Sequence, residues 1–257
     1  MTPNPPSHPP GPSDSDAESW QSDAPSTPRY SPSELSALFL GFYVVLTKLH
    51  FDPTNLKVPP PGGWPNLTRE TCGSFKSDLV LEVRCCLPYL ASDAHVALQV
   101  GTVDYNALGS GPSEFAYGPD GLYPGECGQD LLLDVRKGQI IEEQIRCGLV
   151  VEFDVKEWFE KMKESYRSPK LIPCLGYETL EVGYVKERPA SEGEISEEEI
   201  RAQEDDTTDL DVQYIRQVYH RHGWPENFRR EAKRCIDELM EFMEETEERC
   251  GWETAFH

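Results

Sequence analysis

Apolar residues return every three or four positions along Leu35, Leu38, Phe39, Phe42, Leu46 and Leu49, which predicts a helix with one buried side. The Ser31-Pro32-Ser33-Glu34 run ahead of it has capping-box spacing, with proline at the first helical position. Asp52-Pro53 should end it, and the run from Pro59 to Pro65 reads as a stiff connector. Trp64 in that connector faces either a ligand or the edge of a core, and the second is the commoner use of such a residue. A second helix is predicted from Thr68, with Phe75, Leu79, Val83 and Leu87 on one side and Pro88 closing it.

The period then shortens. His95 to Val100 predicts a strand, Val103 to Tyr105 continues it beyond Gly101, and Glu114 to Tyr117 has a similar pattern. Residues 109–128 are rich in Gly and Pro, hold Tyr117, Asp120 and Tyr123, and predict a long irregular loop of the kind that often carries function. Leu131–Val135 and Gln139–Ile145 predict two strands joined at Lys137-Gly138, where glycine supplies positive φ. Asp154 and Glu157 have the spacing of a capping box ahead of a helix that buries Trp158, Phe159, Met162 and Tyr166. Another strand is expected at Leu180–Val185 and a short surface helix after Ser196.

Two helices close the pattern. One spans Asp211–His222 with Tyr214, Ile215, Val218 and Tyr219 as its stripe and Gly223 as its stop. The other begins near Glu226, with Phe228, Ala232, Cys235, Ile236, Leu239 and Met243 on one side. Its last turn holds Glu244, Glu245, Glu247 and Glu248 against the helix dipole, so it should fray unless a basic partner docks there. The pattern predicts an α+β fold, an antiparallel sheet flanked by helices, with a helical acidic C-terminal extension. Residues 1–29 read as a disordered Pro/Ser-rich tail, 30–186 as the α+β domain, and 187–257 as the extension packed on it.

Charge narrows the partners. The 257 residues carry 46 Asp+Glu against 24 Lys+Arg, a net charge of -22. That sign repels phosphate backbones and argues against nucleic acid; it suits a basic protein partner, or solubility alone. The N-terminal residues lack the basic and apolar segments of a secretory signal. The longest apolar run, Leu38–Leu46, is about half of a span, so no membrane partner is expected. The eight cysteines form no Cys-x-x-Cys pair and no zinc-type cluster with histidine, and Cys85-Cys86 fall inside a helical pattern as small packing groups. An intracellular, cytoplasmic protein is expected, with the nucleus as the other compartment, and the Asn66-Leu67-Thr68 sequon is then a chance match. Ser13 and Ser15 beside acidic residues, and Thr27 before Pro28, are candidate phosphorylation sites in the tail, with an unmodified tail as the equal alternative.

Motifs that would mark chemistry are missing. No phosphate-binding glycine motif, nucleophile elbow or His-Glu-x-x-His occurs, and Asp120-Gly121 lacks the acidic neighbours of a calcium loop. His220 and His222 are two apart, point to different sides of a helix, and read as helix-end residues rather than a metal pair. No catalytic residue, metal or cofactor is expected, because carboxylate pairs such as Asp130/Asp134 occur by chance in so acidic a chain.

Leu131, Leu133, Asp134, Gly138, Ile140, Trp158 and Phe159 form a hairpin followed by a helix with a Trp/Phe pair. In these residues the chain resembles the Smi1/Knr4-type superfamily, also called SUKH, over roughly residues 31–166. It is also similar to filamentous-fungal proteins of unassigned function with the same opening helix and the His-Gly-Trp-Pro element of His222–Pro225. The resemblance implies an α+β, non-enzymatic binding protein; bacterial members neutralise toxins and fungal members regulate through protein contacts. This chain departs from the family in the 109–128 loop and the acidic insert after 186. The contact surface is expected on those two segments, with Tyr117, Asp120 and Tyr123 as its first candidates and a basic protein as its partner. The rival is a hydrolase or transferase with an unmarked site, which a deep pocket at His95 and Asp104 would favour. A third reading is a structural or stress-buffering protein.

Overall fold

A computed structural model describes residues 27–72, 76–90, 95–97, 100–102, 104, 121–126, 129–144, 149–173, 179–203 and 208–245. Ser13, Ser15, the strand expected at 114–117, and the chain after 245 lie outside the described residues.

Helix α1 (Pro32–Leu49) starts as its sequence dictates. The Ser31 hydroxyl accepts from the Glu34 N–H, and the Glu34 carboxylate accepts from the Ser31 N–H at 2.8 Å. It is long and apolar enough to cross a membrane by composition, yet Leu35, Phe39, Phe42 and Leu46 are buried in the protein core. The single helix expected from Thr68 is two: α2 (Arg69–Cys72) and α3 (Asp78–Cys86). Ser77 is the reason, because its hydroxyl accepts from the Val80 N–H and opens a new helix there. Trp64 covers the core edge, donating from its indole to the Leu87 carbonyl at 2.8 Å, with its ring 5.9 Å from that of Tyr89.

Strands β1 (Leu56–Lys57) and β2 (Tyr89–Leu90) pair as a two-stranded ribbon. The main sheet is an antiparallel meander of six strands in chain order. They are β3 (His95–Ala97), β4 (Val100–Thr102), β5 (Gly121–Glu126), β6 (Gln129–Asp134), β7 (Gln139–Gln144) and β8 (Leu149–Asp154). The strand expected over 95–100 is thus a hairpin, β3 pairing with β4. The loop expected over 109–128 yields Gly121–Glu126 to the sheet, where β5 lies between β4 and β6. Backbone pairing on both sides outweighs the low strand propensity of Gly121, Pro124 and Gly125.

The β6–β7 turn is built by Asp134. Its carboxylate accepts from the Arg136 and Lys137 N–H groups at 3.0 and 2.9 Å, and Gly138 follows at φ +67°. Register then sorts the two sheet faces. Leu133, Ile140 and Phe153 align across β6, β7 and β8, as do Leu131, Glu142 and Val151. Leu131, Leu133 and Ile140 are buried against helix α4 (Val155–Arg167) and α1. The Phe159 ring lies 4.8 Å from Phe39 and 5.4 Å from Phe42. Glu142 is tolerated on this inner face because the Trp158 indole donates to it at 2.6 Å.

Strands β9 (Leu171–Pro173) and β10 (Thr179–Glu181) pair with each other, and three helices follow: α5 (Glu197–Arg201), α6 (Asp209–Arg221) and α7 (Phe228–Glu245). Helix α6 begins before Asp211, because Thr208 caps it and Asp211 returns the bond as the acidic partner of a capping box. These helices share the core of the sheet. Tyr214, Val218, Tyr219, Trp224 and Phe228 belong to the same buried cluster as Leu35 and Leu133. The Trp224 indole donates to the Tyr166 carbonyl at 2.8 Å, and Tyr219 donates to the Pro173 carbonyl.

Candidate interaction surface

After β10 the chain crosses α6 as a strap from Val182 to Arg201. Val182, Val185, Ile195 and Ile200 anchor it in the core, while Tyr184 between the first two is 79% exposed. Two glutamines one helical turn apart on α6 fix its backbone. The Gln213 amide accepts from the Arg188 N–H at 3.1 Å and donates to the Lys186 carbonyl. The Gln217 amide accepts from the Ile195 N–H at 2.7 Å and donates to the Ile195 carbonyl at 2.9 Å. Each glutamine therefore meets the strap as a neighbouring strand would, one donor and one acceptor at a time.

The carboxylates on this fixed backbone face water. Glu192, Glu197 and Glu199 have side chains 57, 55 and 46% exposed, and Glu187, Glu194 and Glu198 are exposed as well. Glu197, Glu198 and Glu199 occupy the first turn of α5, where the helix dipole favours them and the Ser196 hydroxyl accepts from the Glu199 N–H. Arg188 and Arg201 are the basic residues within this stretch, with Arg201 3.3 Å from Glu197. From 187 to 201 the strap exposes six glutamates against two arginines, so its surface is negative.

Between strap and helix lies a cleft of about 310 Å³, lined among others by Glu187, Arg188, Glu194, Arg216, Gln217 and His220. Arg216 is 3% exposed and donates to the carbonyls of Pro169, Val185 and Val182 at 3.0, 2.9 and 2.8 Å. Burial pulls its pKa below the usual arginine value, against the opposing fields of Glu187 and Asp209. His220 and His222 part as expected. His220 Nδ1 lies 3.3 Å from the Trp224 carbonyl, while His222 Nε2 lies 2.7 Å from Glu238, which also binds Arg221 at 2.7 Å. Among the described residues no cluster of His, Cys, Asp and Glu is arranged to hold a metal.

The sequence-derived candidates divide differently. Tyr117 and Asp120 lie outside the described residues, and Tyr123 is placed by its backbone in β5. Asp104 is fully buried and takes the Lys57 ammonium at 2.5 Å. Neither it nor His95 lines the cleft. The residues that shape the strap, Arg188, Gln213, Arg216 and Gln217, were not singled out from the sequence. The Gln213-x-x-x-Gln217 spacing on one helix side was the available signal. Comparison of the chain with protein-family models, with curated proteins and with solved structures gave no match.

Proposed function

We propose that this protein is a non-enzymatic, intracellular interaction module of the Smi1/Knr4 type that docks a basic segment of a protein partner on the strap Glu187–Glu199. One observation carries the reading: the strap backbone is held by Gln213, Gln217 and Arg216, while its carboxylates stand in water. A negative surface that is already ordered loses little conformational freedom on binding and steers cationic partners toward it. The exposed Tyr184 ring adds an aromatic contact beside the acidic side chains, of the kind that anchors interfaces. Support for the family likeness comes from the Asp134–Gly138 hairpin running through β8 into the helix of Trp158 and Phe159. Support for a reducing compartment comes from Cys86 and Cys235, which are thiols outside any disulfide among the described residues.

Fluorescence polarisation with a Lys/Arg-rich peptide at low and high salt tests the reading, with a Glu-rich peptide as control. Binding should weaken as salt rises, and should fall roughly tenfold or more when Glu197, Glu198 and Glu199 are all changed to Gln. Pull-downs with the Tyr123→Ala and Tyr184→Ala variants separate a β5-centred surface from the strap. A partner set indifferent to salt and to the triple substitution removes the strap as the docking surface.

A further inference from the structure

Arg216 is a buried cation whose three hydrogen-bonded partners are all neutral. Guanidinium has five N–H donors, and the carbonyls of Pro169, Val182 and Val185 account for three of them. Among the described residues no carboxylate lies within ion-pair distance of it. Carbonyl oxygens satisfy donors without neutralising charge, so the cleft retains a desolvated positive group.

Arg188 lines the same cleft from the strap and is loosely held. Its one firm side-chain bond is from Nη2 to the Glu192 carbonyl at 3.0 Å. Its contacts with the Glu192 and Glu199 carboxylates, at 3.7 and 3.8 Å, exceed hydrogen-bond length, and its Nε is buried with no acceptor. Two arginines with unspent donors therefore border one cleft in a chain of net charge -22.

We propose that this cleft binds a carboxylate group, taken by the forks of Arg216 and Arg188. Planar forks match a carboxylate in two parallel bonds. The carboxylate is preferred to a phosphate because Glu187 and Glu194 border the same cleft and repel a second negative charge more strongly. A volume near 310 Å³ admits a small molecule or the last residue of a peptide. The proposal does not depend on the docking of a basic partner on the outer side of the strap.

The test follows the arginine Nε–H resonances of the full chain by NMR during titration, at constant ionic strength. The probes are acetate, a tripeptide with a free C-terminus, the same tripeptide as its amide, and inorganic phosphate. Acetate and the free tripeptide should shift the Arg188 and Arg216 signals saturably, and the amide should not. Tighter binding of the tripeptide than of acetate identifies a chain terminus as the source; equal binding identifies a small acid. Arg188→Gln should weaken binding about tenfold while Arg230→Gln on α7 leaves it unchanged. Arg216→Lys keeps the charge but loses the fork, and should weaken binding without unfolding the chain. The proposal is overturned if no carboxylate shifts either signal saturably, if the amide binds as well as the acid, if phosphate binds more tightly, or if Arg188→Gln changes nothing.

Discussion

The ring of Tyr30 lies against the β6–β7 turn at Gly138, and its hydroxyl donates to both Asp154 oxygens at 3.0 and 2.9 Å. The turn in turn accepts the first amide of α4, Val155 N–H to Gly138 carbonyl at 3.0 Å, and Arg136 accepts from the Arg29 N–H at 3.1 Å. A methyl group at Gly138 would overlap the Tyr30 ring, and φ of +67° strains any other side chain there. Gly138→Ala should therefore destabilise the fold by about 2–4 kcal/mol, the positive-φ penalty plus displacement of the ring. A double-mutant cycle with Tyr30→Ala in urea denaturation checks it. The two changes should be less costly together than their sum, because removing the ring removes the overlap.

Asp154 joins three structural devices. It caps α4 by accepting from the Lys156 and Glu157 N–H groups at 3.0 and 3.3 Å, it receives Tyr30, and it lies 2.8 Å from Arg29. Burial, the hydrogen bond to Asp154 and its negative charge together raise the Tyr30 pKa above the usual phenol value. Asp154→Ala should cost about 1–2 kcal/mol, the worth of a lost N-cap plus its bonded hydroxyl. The companion measurement is a spectrophotometric titration of Tyr30, whose ionisation should move to lower pH once the carboxylate is gone.

His50 makes stability depend on pH in a defined direction. It closes α1 half-buried beside the core, 5.7 Å from the Tyr166 ring and 4.4 Å from Phe51, and burial lowers its pKa from 6.5 to about 3. The folded chain keeps the imidazole neutral where the unfolded chain protonates it. Stability is thus complete above pH 6.5 and is lost as pH falls toward 3, by roughly 2–3 kcal/mol at pH 4.5 at about 1.4 kcal/mol per unit. Carboxylates titrate in the same range, so the difference between wild type and His50→Phe isolates the imidazole. The variant should lose that much less stability between pH 7 and pH 4.5 in denaturant titrations; parallel losses would contradict the assignment.

Cys235 should be the slow cysteine. Burial, aided by the Glu238 charge, pushes its thiol up to about 12, whereas Cys85 and Cys86 are partly exposed. Alkylation requires the thiolate, so iodoacetamide near pH 8 should label Cys85 and Cys86 well before Cys235 in timed mass spectrometry. Labelling of Cys235 at an equal rate would place it in solvent.

The parts of the fold legible in the sequence were those specified locally. The Ser31/Glu34 capping box, the Asp134–Gly138 turn and the Trp158/Phe159 helix each depend on neighbours within a few residues. Among the missed strands, β8 and β9 depend on distant pairing. Leu149–Asp154 carries Glu152 among its apolar residues and becomes a strand because β7 lies beside it in register. Three residues, Leu171–Pro173, become one because β10 returns to them. The strap was visible as negative composition and, near its end, as the Ser196 cap that opens α5. Its order comes from Gln213 and Gln217, whose partners lie 22–27 residues away along the chain. Nothing in the local sequence singles out Arg216, because its burial follows from carbonyls 31–47 residues earlier.

The same long-range bonds predict that the acidic extension cannot be removed. Residues after 186 supply Ile195, Ile200, Tyr214, Ile215, Val218, Tyr219, Trp224, Phe228 and Cys235 to the cluster that contains Leu35, Phe42 and Leu133. Truncation there would bare the side chains they cover and leave the carbonyls of Pro169, Val182 and Val185 without the Arg216 donors, and that of Tyr166 without the Trp224 indole. Each large aromatic or aliphatic side chain withdrawn from a core removes about 2–5 kcal/mol, so a handful exceeds the whole stability of a typical domain. A chain ending at residue 186 should therefore be unfolded or insoluble, and the intact chain should melt in one transition seen alike by tryptophan fluorescence and far-ultraviolet circular dichroism. Two separated transitions, or a truncated chain with dispersed amide resonances, would show that the sheet holds its core without α6 and α7.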